Sequence, residues 1–345
     1  MNKDAAPYPS GPPVFATLCH PYWEPLDAHV NTTKLPRGDR RHRDGHGHFR
    51  KSCPSKRPTN EHRRRARPCV VAEYVGVPPG FSKSDLWFPS HTVEEVRRLG
   101  ATAGVTHFNL VQMTWYGLDH SYILAAIARD PQHFAGTGIV PAVTDVALAD
   151  PGRSMVELAR GGIYAFRIRG HSTRPRIDTG PRWMDYSGFE NMFRTGAQHN
   201  LALSFLLGPS DLPEVDRMCK RFPQTPVILD HFCLIGREKT LVEKEIQTLC
   251  KMAQHPRVMV KLGAFYGLGA QQPPYLDMVP LIRRVVDAFG PQRCMWESDA
   301  PLQSRDGHTF AAAVAVIRDH CPFLSPTDKQ NILTSTAENF FFRRT

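Results

Sequence analysis

Two segments of the chain place acidic side chains, and in one case a histidine, directly after an apolar run. Val227-Ile-Leu229 is followed by Asp230 and His231. The strand candidate Cys294-Met-Trp-Glu297, apolar in its first three residues, is followed by Ser298 and Asp299. A continuous apolar run is typical of a buried parallel strand, and catalytic groups of parallel α/β folds follow the C-terminal ends of such strands. A histidine and a carboxylate at such an edge can accept and donate protons.

Other short strand candidates also end in polar or aromatic side chains. These side chains are Asp27, His29, Asn31, Gln112, Trp115, Tyr116, Arg167, Arg169, Lys261 and Tyr266. A histidine, a carboxylate and an arginine together provide a base, a group that orients it and a clamp for an anion. This set suits the attack of water on an ester or lactone that carries a carboxylate.

Strand candidates alternate with helical segments from residue 91 to the end of the chain. The first helix is predicted near Thr92, a potential N-cap with Glu95 three residues later. The strand candidates are Leu26–Val30, Val105–Met113, Phe134–Val140, Ile163–Arg169, Leu201–Leu207, Val227–Leu229, Val258–Leu262 and Cys294–Glu297. Strict alternation predicts a parallel α/β sheet, and eight units favour a single (β/α)₈ TIM-like barrel over an open doubly wound sheet.

The positive charge of the chain is concentrated in one segment. The net charge is +10, and residues 34–68 contain thirteen Lys/Arg against three acidic residues, which accounts for the whole excess. This composition cannot bury enough apolar surface to offset the entropy of ordering, so it predicts disorder. A basic segment on an otherwise neutral domain does not favour a nucleic-acid-binding fold.

These observations divide the chain into four parts. We predict an irregular lead-in over 1–24, a first barrel strand over 25–31, a basic low-complexity insertion and loop over 32–90, and the remaining barrel over 91–345. The segment 32–68 is either a real insertion or an error in the gene model. The eight cysteines form no C-x-x-C pair and no secretory or membrane-spanning apolar run is present, which favours a cytoplasmic protein without a membrane partner.

Five motifs occur in barrel order and resemble one known family. They are Asp27-Ala-His-Val-Asn31, Gly162-Ile-Tyr-Ala-Phe-Arg167, Leu229-Asp-His-Phe232, Val260-Lys-Leu-Gly263 and Trp296-Glu-Ser-Asp-Ala-Pro301. They resemble the amidohydrolase-related (amidohydrolase 2) family, especially its lactonase-like branch, which includes 2-pyrone-4,6-dicarboxylate lactonases and sugar lactonases. The resemblance covers about residues 100–342 and the island at 26–31. It implies a TIM-like barrel and hydrolysis by activated water, with a divalent metal in some members only.

The resemblance also implies roles for individual residues. Asp299 would activate water, while His231 and His29 would polarise the carbonyl or move protons. The expected substrate-binding residues are Arg167, Lys261, Tyr266, Trp115 and Tyr116. Arg167 could instead form a salt bridge across the barrel rim, and Lys261 could be an electrophile or a partner in a buried ion pair. Asp230 is expected to orient its neighbours, and His29 could be a satisfied core residue.

Two departures from the family pattern concern a metal. The first strand of the family usually carries His-x-His, but the second position here is Asn31, and the fifth strand candidate offers only Ser204 where metal-dependent members have a histidine. His29, His231 and Asp299 could still hold one zinc or manganese ion. Metal-free chemistry is the expectation, and Asp44-Gly-His-Gly-His48 is interpreted as a chance pattern rather than a displaced metal motif.

The sequence therefore predicts a hydrolase that acts on a small, anionic lactone or cyclic ester. The first alternative is a metal-dependent decarboxylase or amidase on the same barrel. The second is a degenerate, non-catalytic barrel whose basic segment binds polyanions.

Overall fold

A computed structural model describes residues 14–18, by their backbone only, together with 91–113, 116–141, 150–173 and 182–342. The chain divides into a large unit, residues 1–21 with 69–345, and a small unit, Tyr22–Pro68, which lies outside the described residues. The predicted strand at 25–31, the insertion over 32–90 and the motif at 44–48 also lie outside them.

Eight parallel strands form one sheet in which each strand pairs with the next in the chain. The strands are β1 (Val14–Leu18), β2 (Val105–Val111), β3 (Phe134–Gly138), β4 (Ile163–Arg169), β5 (Ala202–Leu206), β6 (Val227–Leu229), β7 (Val258–Leu262) and β8 (Cys294–Trp296). Sequential parallel order is that of a TIM-like fold. The predicted parallel α/β sheet is thus confirmed, while closure of β8 onto β1 stays a prediction.

Amphipathic helices follow the strands and pack their apolar sides against the sheet. They are α1 (Val93–Ala101), α2 (Ser121–Arg129), α3 (Pro151–Ala159), α4 (Ser187–His199), α5 (Leu212–Arg221), α6 (Glu243–Lys251), α7 (Val279–Phe289), α8 (Phe310–Asp319), α9 (Pro326–Gln330) and α10 (Thr336–Phe341). The predicted capping box at the start of α1 is present. The hydroxyl of Thr92 accepts the backbone N–H of Glu95, and the carboxylate of Glu95 accepts the backbone N–H of Thr92. None of the described helices is long and apolar enough to cross a bilayer.

The first strand differs from the prediction. The structure has β1 at Val14–Leu18, inside the segment predicted to be an irregular lead-in, and pairs Thr17 with Asn109 of β2. Val14-Phe-Ala-Thr-Leu18 has the β-branched and aromatic composition of a strand, and the neighbouring prolines, which suggested irregular structure, can equally bound a strand. His29 lies outside the described residues, eleven residues after Leu18, so it does not end β1.

The inner face of the sheet is built in layers because alternate residues of a strand point to the same side. The lower interior layer is a cluster of buried apolar side chains, namely Ala135, Ala165, Ala202, Ile228 and Met295. Two residues further along the same strands lies the polar interior layer, which consists of Asn109 from β2 together with Thr137, Arg167, Ser204, Asp230, Lys261 and Glu297. The change from apolar to polar follows the strands toward their C-terminal ends.

Candidate active site

Asp230 is the centre of the polar interior layer. Its side chain is fully buried, 2.7 Å from the ammonium of Lys261 and 3.2 Å from a terminal nitrogen of Arg167. The hydroxyl of Ser204 donates to both carboxylate oxygens at 3.1 Å. Burial raises the pKa of Asp230, but the charges of Lys261 and Arg167 outweigh burial, so its pKa lies below the usual value. Asp230 is therefore an ionised centre that fixes two cations.

His231 and Glu297 form a second buried pair beside Asp230. The Nδ1 atom of His231 lies 2.5 Å from Oε1 of Glu297, and the same oxygen accepts the backbone N–H of His231 at 2.9 Å. The other carboxylate oxygen of Glu297 lies 3.7 Å from the ammonium of Lys261. Both residues have almost no exposed side chain. One carboxylate thus contacts the ring and the backbone of the histidine.

Asp299 faces the opposite edge of the same imidazole. Its Oδ1 lies 3.8 Å from Nε2 of His231, and its Oδ2 accepts a hydrogen bond from the Tyr266 hydroxyl at 2.6 Å. Among the described residues, Oδ1 has no hydrogen-bond partner although it is fully buried. Burial, reinforced by the charge of Glu297, raises the pKa of Asp299 to about 6 against the opposing effects of His231 and Tyr266. This pKa lies close to the value of an effective general base near neutral pH.

The backbone leaves β6 and β8 in an unusual conformation. His231, Phe232, Cys233 and Leu234 all have φ between +49° and +59°, and Asp299 has φ of +55°. A non-glycine residue in the left-handed region costs roughly 1–2 kcal/mol, and such residues cluster at functional sites. This backbone turns the histidine and the aspartate toward each other at the edge of the sheet.

The structure brings together most of the predicted site residues that it describes. Arg167, His231, Lys261, Tyr266 and Asp299 lie at the C-terminal ends of β4, β6, β7 and β8. Arg167 and Lys261 pair with Asp230, in agreement with the alternative that the sequence left open for them. Tyr116 is half-buried in the loop after β2, and its backbone N–H donates to Met113 at 3.1 Å. His29 and Trp115 lie outside the described residues.

Glu297 was missed as a site residue although its motif was recognised. It precedes Asp299 by two positions, and its side chain points to the same interior face as that of Met295. Applying this alternation to the end of β8 would have placed Glu297 at the site. The sequence contains no signal for its contact with His231, because the two residues are 66 positions apart.

A divalent metal would need more donors than this part of the site provides. Catalytic zinc sites use three protein ligands. His231 offers Nε2 and Asp299 offers Oδ1, but the described residues contain no group of three or more histidines, cysteines and carboxylates arranged to hold a metal. The third ligand that the sequence suggested, His29, lies outside the described residues. The donors present in the described site do not fit a metal by themselves.

Comparison with known proteins assigns the chain to a family. The sequence model of the amidohydrolase family matches residues 86–343, a span that includes Arg167, His231, Lys261 and Asp299. The chain belongs to the amidohydrolase family. It is an enzyme of the hydrolase class, as predicted, and the family resemblance inferred from the five motifs is confirmed.

Two named relatives are similar over most of the chain. An L-fucono-1,5-lactonase of Burkholderia ambifaria is 25% identical over 256 residues, which cover 72% of this chain and 76% of the relative. A 4-sulfomuconolactone hydrolase of Hydrogenophaga intermedia is 25% identical over 215 residues, which cover 62% of this chain and 66% of the relative.

Solved structures share the fold at lower identity. A probable 2-pyrone-4,6-dicarboxylic acid hydrolase of Acinetobacter baumannii with bound citric acid has a TM-score of 0.61 at 18% identity and covers 75% of this chain and 93% of that structure. A zinc-bound amidohydrolase of Burkholderia multivorans has a TM-score of 0.59 at 20% identity, with 73% and 88% covered. A manganese-bound dihydroxybenzoic acid decarboxylase of a Polaromonas species has a TM-score of 0.51 at 12% identity, with 74% and 88% covered.

Proposed function

We propose that the protein hydrolyses a small lactone or cyclic ester that carries an anionic group. The observation that carries this proposal is the approach of two buried side chains, Oδ1 of Asp299 and Nε2 of His231, at 3.8 Å. Each side chain is held from its far side, Asp299 by Tyr266 and His231 by Glu297. Such a pair can take a proton from water and deliver one to a leaving oxygen.

The reaction balances with these two groups. Oδ1 of Asp299 removes a proton from water as the water oxygen attacks the lactone carbonyl carbon. Asp299 passes this proton to Nε2 of His231. The bond from the carbonyl carbon to the ring oxygen then breaks, and the leaving oxygen takes the proton from Nε2. Both groups are thereby restored, and the product is the open hydroxy acid.

An anionic substrate group would meet a positively charged part of the same rim. Arg167 contacts Asp230 through a terminal nitrogen, and a guanidinium carries five N–H donors in a planar arrangement. Arg169 lies two residues further along β4, on the same side of the strand and partly exposed. We assign the anion to these two arginines, and Lys261, fully buried between Asp230 and Glu297, to charge balance.

The names of both relatives, a lactonase and a hydrolase of a muconolactone, support this substrate class. The second candidate is a metal-dependent decarboxylase or amidase, which is favoured by the manganese-bound decarboxylase among the structures of the same fold. A zinc or manganese ion would then be held with His231, Asp299 and His29. Metal analysis of the purified protein and turnover after chelation distinguish the two candidates.

The decisive test is hydrolysis of a panel of carboxylated and uncharged lactones by wild-type protein and Asp299→Asn. We expect kcat of Asp299→Asn to fall by about 10³-fold or more because the base is removed, while the amide still accepts from Tyr266. The matched control is Asp211→Asn, which changes a buried carboxylate after β5 that accepts from Ser172 instead. Full activity of Asp299→Asn with a normally folded protein would refute the proposed role.

A further inference from the structure

Glu297 lies closer to the ring of His231 than Asp299 does. Its Oε1 lies 2.5 Å from Nδ1 of His231. A nitrogen and a carboxylate oxygen can come this close only with a proton between them, because their lone pairs otherwise repel. A carboxylate oxygen accepts hydrogen bonds, so this contact favours a proton on Nδ1.

The same oxygen also holds the backbone at this point. It accepts the N–H of His231 at 2.9 Å, where the chain adopts a φ of +52° that a histidine rarely has. Ring and backbone are therefore fixed by one acceptor. Nε2, on the other edge of the ring, faces Oδ1 of Asp299.

We propose that Glu297 is a positioning residue that keeps the proton of His231 on Nδ1 and so directs Nε2 to Asp299 and the substrate. The inference rests on the proposed function, since it assumes that His231 moves protons during hydrolysis. A carboxylate that orients a histidine in this way does not touch the substrate. It acts by fixing which nitrogen reacts and by stabilising the charged imidazole.

The neighbouring strand is built to admit Glu297. Gly263 follows β7, and a Cβ atom at this position would lie 2.1 Å from the carbonyl oxygen of Glu297 and 2.4 Å from its Cγ. A side chain at residue 263 would therefore displace Glu297 and its contact with His231. This close packing gives the Lys-Leu-Gly motif a physical role in the site.

A purely structural role for Glu297 makes a different prediction. Its second oxygen lies 3.7 Å from the ammonium of Lys261, so it could serve only as a counter-charge. In that case, substitution would lower stability and leave the histidine proton and kcat unchanged. The two roles are separated by measuring the tautomer and the kinetics in the same variants.

The experiment compares wild type, Glu297→Gln and Glu297→Ala in the full chain after treatment with a chelator. Labelling with ¹⁵N-histidine gives the protonation of each ring nitrogen by NMR, and His231→Gln identifies the signal of His231. We expect Nδ1 of His231 to carry the proton in wild type and in Glu297→Gln, whose amide oxygen still accepts, and to lose this preference in Glu297→Ala. Glu214→Ala is the matched control, because Glu214 is a buried carboxylate that accepts the backbone N–H of Met184 away from the site.

Kinetics with the lactone panel complete the test. We expect kcat of Glu297→Ala to fall on the order of 100-fold with little change in KM, and kcat of Glu297→Gln to fall less. An unchanged tautomer in Glu297→Ala, or a loss of stability without a loss of kcat, would overturn the proposal. If wild type hydrolyses no lactone, the proposed function fails, whereas the NMR result still decides whether Glu297 sets the tautomer.

Discussion

The lower and polar interior layers lie on the same strands, two residues apart, and have opposite chemistry. The lower interior layer contains only apolar side chains, which fill the space between the strands. The polar interior layer contains two cations and two carboxylates that share contacts, from Arg167 through Asp230 and Lys261 to Glu297. Both layers are almost completely buried.

This difference shows how one strand can provide stability and function. Burial of an apolar group stabilises the folded state because the group leaves water. Burial of a charge costs its hydration free energy, and interactions with partners must offset this cost. Each charge of the polar interior layer therefore depends on residues of neighbouring strands. Truncation of a side chain in the lower interior layer should lower stability in proportion to the volume removed. In the polar interior layer, the loss of any one charged partner should lower stability.

Lys261→Met should cause the largest loss of stability. It removes the cation 2.7 Å from Asp230 and leaves that buried carboxylate with less compensation. Loss of one partner of a buried pair costs about 3–5 kcal/mol, which urea unfolding would measure. Adding Asp230→Asn to this variant should restore part of the loss.

The control for Lys261→Met is Lys220→Met, which breaks an exposed ion pair with Asp216. Exposed pairs contribute about 0–1 kcal/mol because water screens them. A similar loss in both variants would show that the polar interior layer is solvated, against the burial in the structure.

Ile228→Ala should have the next largest effect, and on stability alone. The side chain is fully buried in the lower interior layer, and its truncation leaves a cavity that costs about 2–4 kcal/mol. We expect kcat toward the best lactone to stay near the wild-type value, because the residue lies one layer below the charged groups. A fall in kcat as large as that of Glu297→Ala would show that the layers are coupled.

His91 is a partly buried histidine whose pKa is set mainly by desolvation, and its substitution should have the smallest effect. Among the described residues, its Nε2 has no hydrogen-bond partner, and burial lowers its pKa to about 4 despite the nearby charge of Glu95. The folded state thus binds the proton less readily than the unfolded state. Its stability contribution is complete above pH 6.5 and is lost as the pH falls toward 4.

We therefore expect His91→Leu to lose less stability than wild type on acidification. The difference in free energy of unfolding between the two proteins should shift by roughly 1–3 kcal/mol between pH 7 and pH 4. Urea unfolding at both values measures the shift. A difference that does not change with pH would contradict the lowered pKa.

Much of the fold could be predicted because the signals are local. Strands β4, β6 and β7 have the predicted bounds, since short apolar runs ending in polar residues are visible in the chain itself. The prediction was wrong for β1, where nearby prolines outweighed a five-residue strand that is held by pairing with β2. Pairing with a distant strand leaves no mark in the local sequence.

The sequence by itself determined the kinds of residues at the strand ends and the order in which they reach one edge of the sheet. His231, Asp299, Arg167 and Lys261 were found in this way. Only the tertiary structure decided their partners: Lys261 with Asp230, and His231 between Glu297 and Asp299. The reason is physical, because alternation along a strand fixes which face a side chain occupies, whereas the distance between side chains of different strands depends on their register and on the backbone turns that follow them.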